Sequence, residues 1–528
     1  MRPPTPEAGA GSWAVSGALA GTSAPLSPDM SPPVSGAGVG GDGGGGGAGG
    51  GAGGGAGGGA GGGAGSAGEL AGGGAGELMS GAMSGAMSGV MSGGAGSGGA
   101  GSGADLCSGC DDHIGCNGIE RCDEQGRCLG PPALCPAAPP ECAQSGGVGG
   151  PTPNTLTLAA AGHFALTEGG FDPATEGLID ALRGAGGNRP ATYETLLGDL
   201  NRQATRVSSH PGVYCFDAGF KWNSGDDAVD YWWPQGLTGS ADANPSNSVA
   251  GEAVALVSWY HKPEVEPGTS VNKGARVSWV KTTGLSDLRY RHLLLVDPYT
   301  DAVGRPNFRP KPTHAGGVVW FGRYLYVAET ASGFSVYDME RMFQVSTGVD
   351  HHVGYREEDG RYYAANYKYV IPRVGSYSLC AQSCCARFSF ASLDQSTQPP
   401  TLLSGSYTNV NTSGHLHRWA LDPATGRLAT TQGVAFSQEQ LHLGVLKAQG
   451  ALSYNGRYYI SSSHPKTSGR GSLYAGQVGA AWVNRGGPHL PEDLHYSPRS
   501  DRLWSLTESP GERVVYGVLR AHVDGGCP

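Results

Sequence analysis

The chain has 528 residues, 93 of them glycine, and its 35 Lys and Arg against 45 Asp and Glu residues give a formal net charge of −10. This length is enough for two or three domains. An acidic chain without a Lys/Arg run cannot neutralise a row of phosphates, so nucleic acid is excluded as a partner. The sequence contains no stretch of about 20 apolar residues, so no transmembrane segment is predicted.

Residues 1–105 are predicted to be a disordered tether. From Gly36 to Gly103 the chain is almost entirely Gly, Ala and Ser, and without apolar side chains to bury it cannot offset the entropy lost on ordering. Upstream, "WAVSGALAGTSA" (13–24) after Arg2 is typical of a weak signal peptide. We interpret the tether as a spacer on an exported protein; the alternative is repeat sequence without a selected length.

Residues 106–145 form a cysteine-rich module. A high cysteine density in a segment with few apolar residues indicates disulfides and an oxidising compartment. Zinc is the competing interpretation because Cys107 and Cys110 form a C-x2-C pair, but no second pair completes a site. We predict disulfide bonding for all twelve cysteines, namely Cys107, Cys110, Cys116, Cys122, Cys128, Cys135, Cys142, Cys215, Cys380, Cys384, Cys385 and Cys527.

Within this module, "CDDHIGCNGIERCDEQGRC" (110–128) resembles a short repeat of bacterial surface and secreted proteins, C-D-D-x3-C-N-G-x-E-x-C. The resemblance implies an extracellular, disulfide-bonded spacer or adhesion module. Asp111, Asp112 and Glu120 leave calcium as an open alternative to simple solvation of these carboxylates; no other cofactor is predicted.

Residues 155–208 are expected to form a short helical collar. "DPATEGLIDALRGAGG" (172–187) places a cap candidate before a proline and an apolar face at helical spacing. "ATYETLLGDLNRQAT" (191–205) repeats this pattern. Two short amphipathic helices are therefore predicted.

From residue 210 to 527 the chain consists of short β-branched and aromatic strands separated by turn residues. "HAGGVVWFGRYLYVAETASGFSVYDM" (314–339) aligns with residues 448–478 and less tightly with 491–519. Each copy has a small-residue strand, a tight turn, an aromatic strand and a third strand. Repeats of this kind predict an all-β fold, a β-propeller, in preference to a β-sandwich.

The number of blades depends on where the first strands begin. Pro234, His314, Gln449 and Pro491 are clear starts, and "YKYVIPRVGSYSL" (367–379) is expected to open one further blade that also contains the strands up to residue 422. Five blades are favoured, and six is the alternative. The strand within residues 212–221 would close the ring against the last blade, which predicts a disulfide between Cys215 and Cys527.

The candidate site residues follow from the propeller, because first strands line the central channel and their leading residues face its mouth. The candidates for ligand binding at the mouth are Gln235, Asp242, His314, Glu329, Gln449, His464 and Glu492. Carboxylates and histidines in such a ring suit a metal or a general acid–base pair. The alternative is that they satisfy backbone groups and water. No catalytic residue and no metal ligand is assigned.

Pieces of residues 314–330 and 402–429 resemble lactonase-like and NHL-like propellers in their strand–turn pattern, but the metal-ligand asparagine of lactonases is absent from the strand starts. Residues 163–525 resemble secreted bacterial proteins with "YWWPQGLTGSADA" (231–243), "HAGG" and "YLYVAET" segments. The favoured interpretation is a monomeric secreted or cell-surface protein that binds an extracellular ligand, protein or glycan. A hydrolase or lyase using His314, Glu329 and Glu492 is one alternative, and a structural cell-envelope component is another.

Overall fold

The computed structural model describes residues 152–159, 164–269, 271–379, 387–409, 412, 414–464 and 470–528, together with two short strands within residues 121–129. The predicted tether, most of the cysteine module, and Cys380, Cys384 and Cys385 lie outside the described residues. The described part of the chain is mostly β-strand and includes no helix long and apolar enough to cross a membrane.

The first half of the chain contributes β1 (Arg121–Cys122), β2 (Cys128–Leu129), β3 (Thr157–Leu158), β4 (Ala165–Gly170), β5 (Arg189–Pro190), β6 (Arg202–Gln203), β7 (Thr205–Arg206), β8 (Phe216–Lys221), β9 (Trp232–Gly239), β10 (Val254–His261), β11 (Ala275–Lys281), β12 (Arg289–Thr300) and β13 (Pro306–Pro310). The later strands are β14 (Val318–Phe321), β15 (Tyr324–Glu329), β16 (Gly333–Asp338), β17 (Phe343–Gln344), β18 (Val353–Arg356), β19 (Arg361–Ala364), β20 (Tyr369–Leu379), β21 (Phe390–Asp394), β22 (Thr401–Gly405), β23 (His415–Asp422), β24 (Arg427–Leu428), β25 (Val434–His442), β26 (Ala448–Tyr454), β27 (Arg457–Ser462), β28 (Ser472–Gly476), β29 (Val483–Asn484), β30 (Pro491–Ser497), β31 (Arg502–Thr507) and β32 (Val514–Leu519).

The helices are short. They are α1 (Pro173–Gly184), α2 (Tyr193–Leu197), α3 (Ser224–Ala228), α4 (Ser240–Ala243) and α5 (Arg520–Gly525), with 3-10 turns at Thr283–Leu285, Met339–Arg341 and Pro498–Ser500. The expected cap of α1 is present, since the Asp172 carboxylate accepts the backbone N–H of Thr175 at 2.9 Å. Ile179 and Leu182 bury the apolar face of this helix.

Consecutive strands form antiparallel meanders. The first runs β9–β10–β11–β12, and the second runs β14–β15–β16 and then the second half of β20. The third runs β21–β22–β23–β25, the next β26–β27–β28–β29, and the last β30–β31–β32–β8. Their first strands contact one another in a closed circle, in the order β9, β14, β21, β26, β30 and back to β9. This radial arrangement makes the fold propeller-like.

The inner strands approach very closely where β14 meets β21. A Cβ added to Gly317, just before β14, would lie 1.9 Å from the backbone nitrogen of Ala391 in β21. Behind the inner strands, large aromatic residues fill the space between meanders. Trp279 and Trp320, for example, come from neighbouring meanders, are fully buried and lie 5.3 Å apart between ring centroids. The small residues seen in the sequence repeat therefore mark the inner strands.

The last meander is completed by an N-terminal strand. β8 pairs with β32, and Cys215 immediately before β8 is disulfide-bonded to Cys527, with the two Cα atoms 5.8 Å apart. The disulfide predicted from the two ends of the ring is confirmed.

Two features differ from the sequence expectations. β3 and β4, in the range expected to be a helical collar, add to the outer edges of the meanders through β25 and β20. The segment 367–379, expected to open a blade, instead forms β20, whose first half pairs in parallel with β12 and whose second half is the fourth strand of the β14 meander. That expectation was wrong because β20 changes partners at Pro372, where it passes from one sheet to the next. The apolar sequence of a strand does not show which neighbouring strand it pairs with.

Candidate functional site at the channel mouth

Four of the seven predicted polar residues lie where the inner strands begin. Gln235 and Glu492 lie near the starts of β9 and β30, Gln449 lies near the start of β26, and His314 precedes β14. Every meander uses its first strand on the inside, so these starts lie at one end of the ring of inner strands, which we call the channel mouth. Glu508, which directly follows β31, lies with them and was not predicted from the sequence. We refer to Gln235, His314, Gln449, Glu492 and Glu508 as the mouth cluster.

Two carboxyl groups dominate the mouth cluster. Gln449 Nε2 donates to Glu492 Oε1 at 2.9 Å, and Gln235 Nε2 donates to Glu508 Oε2 at 2.7 Å. Glu492 and Gln235 are each 2% exposed, whereas Glu508 is half-buried. Each carboxyl is therefore oriented by a glutamine from a neighbouring meander.

The surroundings of the two carboxyls shift their pKa values by different amounts. Burial raises the pKa of Glu492 well above its ordinary value, and the negative charges of Glu508 and Asp493 raise it further. Burial also raises the pKa of Glu508 to about 7, but there the Gln235 amide and the cations Lys262 and Arg513 oppose the shift. Glu508 is therefore about half ionised near pH 7, and the stronger burial of Glu492 favours the protonated form of its carboxyl.

Aromatic side chains flank the carboxyls. The rings of Tyr260 and His314 stack with centroids 4.4 Å apart and an interplanar angle of 20°. Burial raises the pKa of Tyr260 and of Tyr407, and in both cases the charges of the two glutamates add to the shift. The two hydroxyls are therefore neutral donors close to the carboxyl pair.

His314 is a neutral imidazole at physiological pH. The residue is exposed as a whole, but the protein around its ring disfavours the charged form and, with the positive charge of Lys262, lowers its pKa to about 4. The Lys262 ammonium lies 3.6 Å from the ring centroid of Trp233 and 5.5 Å from that of Tyr260. The mouth thus presents a platform of stacked aromatic rings beside one fixed cation.

Asp242 does not belong to this end of the channel. It follows the far end of β9, where its carboxylate accepts hydrogen bonds from Thr238 Oγ1 at 2.7 Å and Gln395 Nε2 at 2.8 Å and lies 3.0 Å from His495 Nδ1. Its expected place at the mouth was wrong because a strand and a helical turn separate it from Gln235. Sequence proximity alone does not show which end of a strand reaches which face.

Glu329 and His464 are near the ends of second strands, as expected, but their contacts are local. Glu329 accepts from Ser335 and lies 3.4 Å from Lys311 Nζ. The backbone N–H of His464 donates to Ser462 Oγ at 2.9 Å, and its carbonyl accepts from Ser472 Oγ at 2.9 Å. The contacts between described residues link neither side chain to the glutamate pair.

Among the described residues, no group of three or more His, Cys, Asp or Glu side chains is arranged to hold a metal ion. The calcium alternative raised by Asp111, Asp112 and Glu120 falls on residues outside the described ranges. What the mouth can do chemically follows from its own groups, which are an acid, a partly ionised carboxylate, two amides and neutral hydroxyls.

No protein-family model matches the chain, and no curated protein is significantly similar to it. Among solved structures, the chain is similar to an α-L-arabinofuranosidase (CtGH43) from Clostridium thermocellum ATCC 27405, with 10% sequence identity and a TM-score of 0.26. The similarity covers 49% of this chain and 80% of that one. A similarity of this size carries no inference about activity.

Proposed function

We propose that this protein is a hydrolase whose acid–base site lies at the channel mouth and acts on an uncharged, polyhydroxylated substrate such as a glycoside. The supporting observation is that Glu492 and Glu508 lie in surroundings that give them different pKa values. Two carboxyl groups in different environments are the requirement for running acid and base chemistry together near neutral pH.

In this proposal Glu492 is the general acid. It is protonated because it is buried and faces other negative charges. It would donate its proton to the leaving oxygen as the bond to that oxygen breaks. Gln449, which donates to Glu492 Oε1, leaves the acid proton to reside on the other oxygen.

Glu508 is the base in its ionised form. With a pKa of about 7 and a hydrogen bond from Gln235, it is held in one orientation and is ionised in a useful fraction of molecules. It would remove a proton from the attacking water while Glu492 gives one to the leaving oxygen. Each turnover then leaves Glu492 ionised and Glu508 protonated, and proton exchange with solvent restores the pair. The neutral His314 and Tyr260 rings offer an apolar face to the carbon skeleton of a sugar.

Binding without turnover is the second candidate. The stacked pair of Tyr260 and His314 favours it, since an aromatic platform beside amides binds a polar ligand whether or not chemistry follows. Export of the protein is part of both proposals. It is supported by the bond between Cys215 and Cys527, because disulfides persist in oxidising compartments.

We also infer that the propeller has five blades. This count is supported by the closed circle of contacts that passes through β9, β14, β21, β26 and β30. The last blade would take its outer strand, β8, from the N-terminal side of the ring.

The test is a screen of the full-length protein against aryl glycosides, glycans, lactones and esters, followed by Glu492→Gln and Glu508→Gln. Each substitution keeps the shape of the side chain and removes its proton chemistry. We expect glycoside turnover that falls at least about 100-fold in each variant. Glu358→Gln, at an exposed position between β18 and β19, is the matched control and should keep its rate.

Turnover that survives both mouth substitutions would place the chemistry elsewhere and overturn the proposal. Absence of turnover, together with glycan binding that Tyr260→Ala weakens, would select the binding function instead. Turnover of an ester or lactone with no glycoside activity would overturn the substrate class.

A further inference from the structure

A cavity of about 420 Å³ lies on the first meander, away from the mouth cluster. Its walls come from α3, the start of β9, the loop between β10 and β11, the body of β12 and the segment before β20. No member of the mouth cluster lines it. It is therefore a separate candidate site.

The cavity wall is rich in basic groups, with five Lys or Arg side chains and three Asp or Glu side chains among the described residues that line it. The acidic ones in its interior are already engaged. Asp226 Oδ2 accepts from the Tyr290 hydroxyl at 2.6 Å, and Asp226 Oδ1 lies 3.0 Å from His292 Nε2. Glu266 Oε1 accepts from Lys273 Nζ at 2.6 Å.

Arg276 is the central basic group. It is 3% exposed and its guanidinium lies between two indoles, 4.5 Å from the ring centroid of Trp232 and 4.7 Å from that of Trp259. Stacking fixes the plane of the guanidinium and keeps its charge in a partly apolar wall. A cation held in this way is preorganised for a ligand.

The hydrogen bonds of Arg276 are weak for a buried arginine. Its Nη atoms lie 3.2 Å from the Tyr367 hydroxyl and 3.4 Å from Asp226 Oδ1, whereas charge-assisted bonds are normally about 2.7–2.9 Å. Its Nε is buried and donates to no acceptor among the described residues. Arg202, which also lines the cavity, reaches Asp226 only at 3.5 Å.

We propose that this cavity binds a small carboxylate-bearing ligand. The carboxylate would accept from Arg276 and Arg202, whose contacts to Asp226 leave donor capacity unused. The body of the ligand would pack against Trp232 and Tyr367. A planar carboxylate matches the fork of a guanidinium, and the cavity volume suits a molecule of sugar-acid size.

The experiment uses calorimetric titration of the full-length protein with glucuronate, citrate and benzoate, and with glucose as the uncharged counterpart of glucuronate. Glucose 6-phosphate tests phosphate in place of carboxylate. We expect at least one carboxylate to bind, glucose not to bind, and the affinity to fall as sodium chloride is raised.

Arg202→Ala is the test variant because its side chain is about one third exposed and its loss is compatible with folding. It should weaken carboxylate binding at least about tenfold. Arg309→Ala removes a surface arginine outside the cavity and should leave the affinity within twofold. Arg276→Lys, which keeps the charge but not the fork, should also weaken binding.

The proposal is overturned if none of the carboxylates binds, if glucose binds as well as glucuronate, or if Arg202→Ala behaves like Arg309→Ala. Binding of glucose 6-phosphate in preference to every carboxylate would overturn the ligand class. Because the cavity and the mouth share no residue, these outcomes are independent of the fate of Glu492→Gln.

Discussion

Opening the disulfide between Cys215 and Cys527 should strongly destabilise the domain. The bond joins residues separated by 312 positions, and it ties the strand that completes the last meander to the C-terminal end of the chain. In the reduced unfolded state this very long loop is free, whereas in the oxidised state it is closed. The disulfide therefore acts mainly by restricting the unfolded chain.

The loop length sets the magnitude. The chain-entropy relation for a closed loop of this size predicts about 6 kcal/mol at 25 °C. Measured values fall below the relation for long loops, because unfolded chains retain some compactness. We therefore expect the free energy of unfolding to decrease by about 3–5 kcal/mol when the bond is absent.

The assay is guanidinium-induced unfolding of the full-length protein carrying Cys215→Ser, Cys527→Ser or both. Substitution is preferable to a reducing agent, which would also act on the other cysteines. Either single substitution opens the same loop, so each single variant should be as unstable as the double variant. Native-state spectra should stay unchanged, because the strand pairing of β8 does not depend on the bond.

Losses below about 1 kcal/mol, or single-variant losses that simply add in the double variant, would refute this reasoning. Additive losses would mean that each cysteine stabilises the fold through its own packing. The loop-closure account permits no such additivity.

Three further predictions concern the site and the inner strands. Activity should rise with pH through about 7 as Glu508 ionises and fall at higher pH as Glu492 loses its proton; a pH–rate profile that is flat from pH 5 to 9 would contradict this. Burial lowers the pKa of His415 to about 4, so as the pH falls from about 6.5 towards 4 the unfolded state takes up the proton before the folded state does. In urea unfolding, this group should therefore contribute about 2 kcal/mol less stability at pH 5 than at pH 7. His415→Phe should lack this contribution. Gly317→Ala should lower the free energy of unfolding by about 3 kcal/mol or prevent folding, because the added Cβ would meet the backbone of β21. Gly177→Ala, in open space on α1, should raise the thermal midpoint slightly. Equal effects of the two substitutions would exclude the close approach.

The propeller-like fold was predictable because its signals are local and repeated. The Asn455-Gly456 turn is an example, since both residues adopt positive φ and join β26 to β27, as an Asn-Gly hairpin predicts. The closing disulfide was predictable because the two ends of a ring must meet. Both inferences use topology and need no knowledge of side-chain packing.

The parts that failed depend on long-range pairing. β20 was assigned to the wrong meander because a strand with proline in its middle can end one pairing and begin another, and only the tertiary structure shows which partners it takes. Glu508 was missed because it stands one residue beyond a strand, in a segment with no chemical motif. Glu508 belongs to the site because Gln235 donates a hydrogen bond to it and because its charge acts on Glu492, and both residues are separated from it in the chain.

The contrast between the two ends of the channel is the strongest reason to look for function at the mouth. At the far end, Asp242 is surrounded by donors from Thr238, Gln395 and His495, so its charge is compensated by the fold itself. At the mouth, the described residues supply the Glu492 side chain with the single amide donor of Gln449, and the nearby Glu508 adds repulsion. A buried carboxyl placed beside another carboxyl lowers stability unless one of them holds a proton. A fold that supplies three polar partners to one acid and leaves two carboxyls with few donors at the opposite end gives that pair the proton-transfer capacity on which the proposed hydrolysis depends.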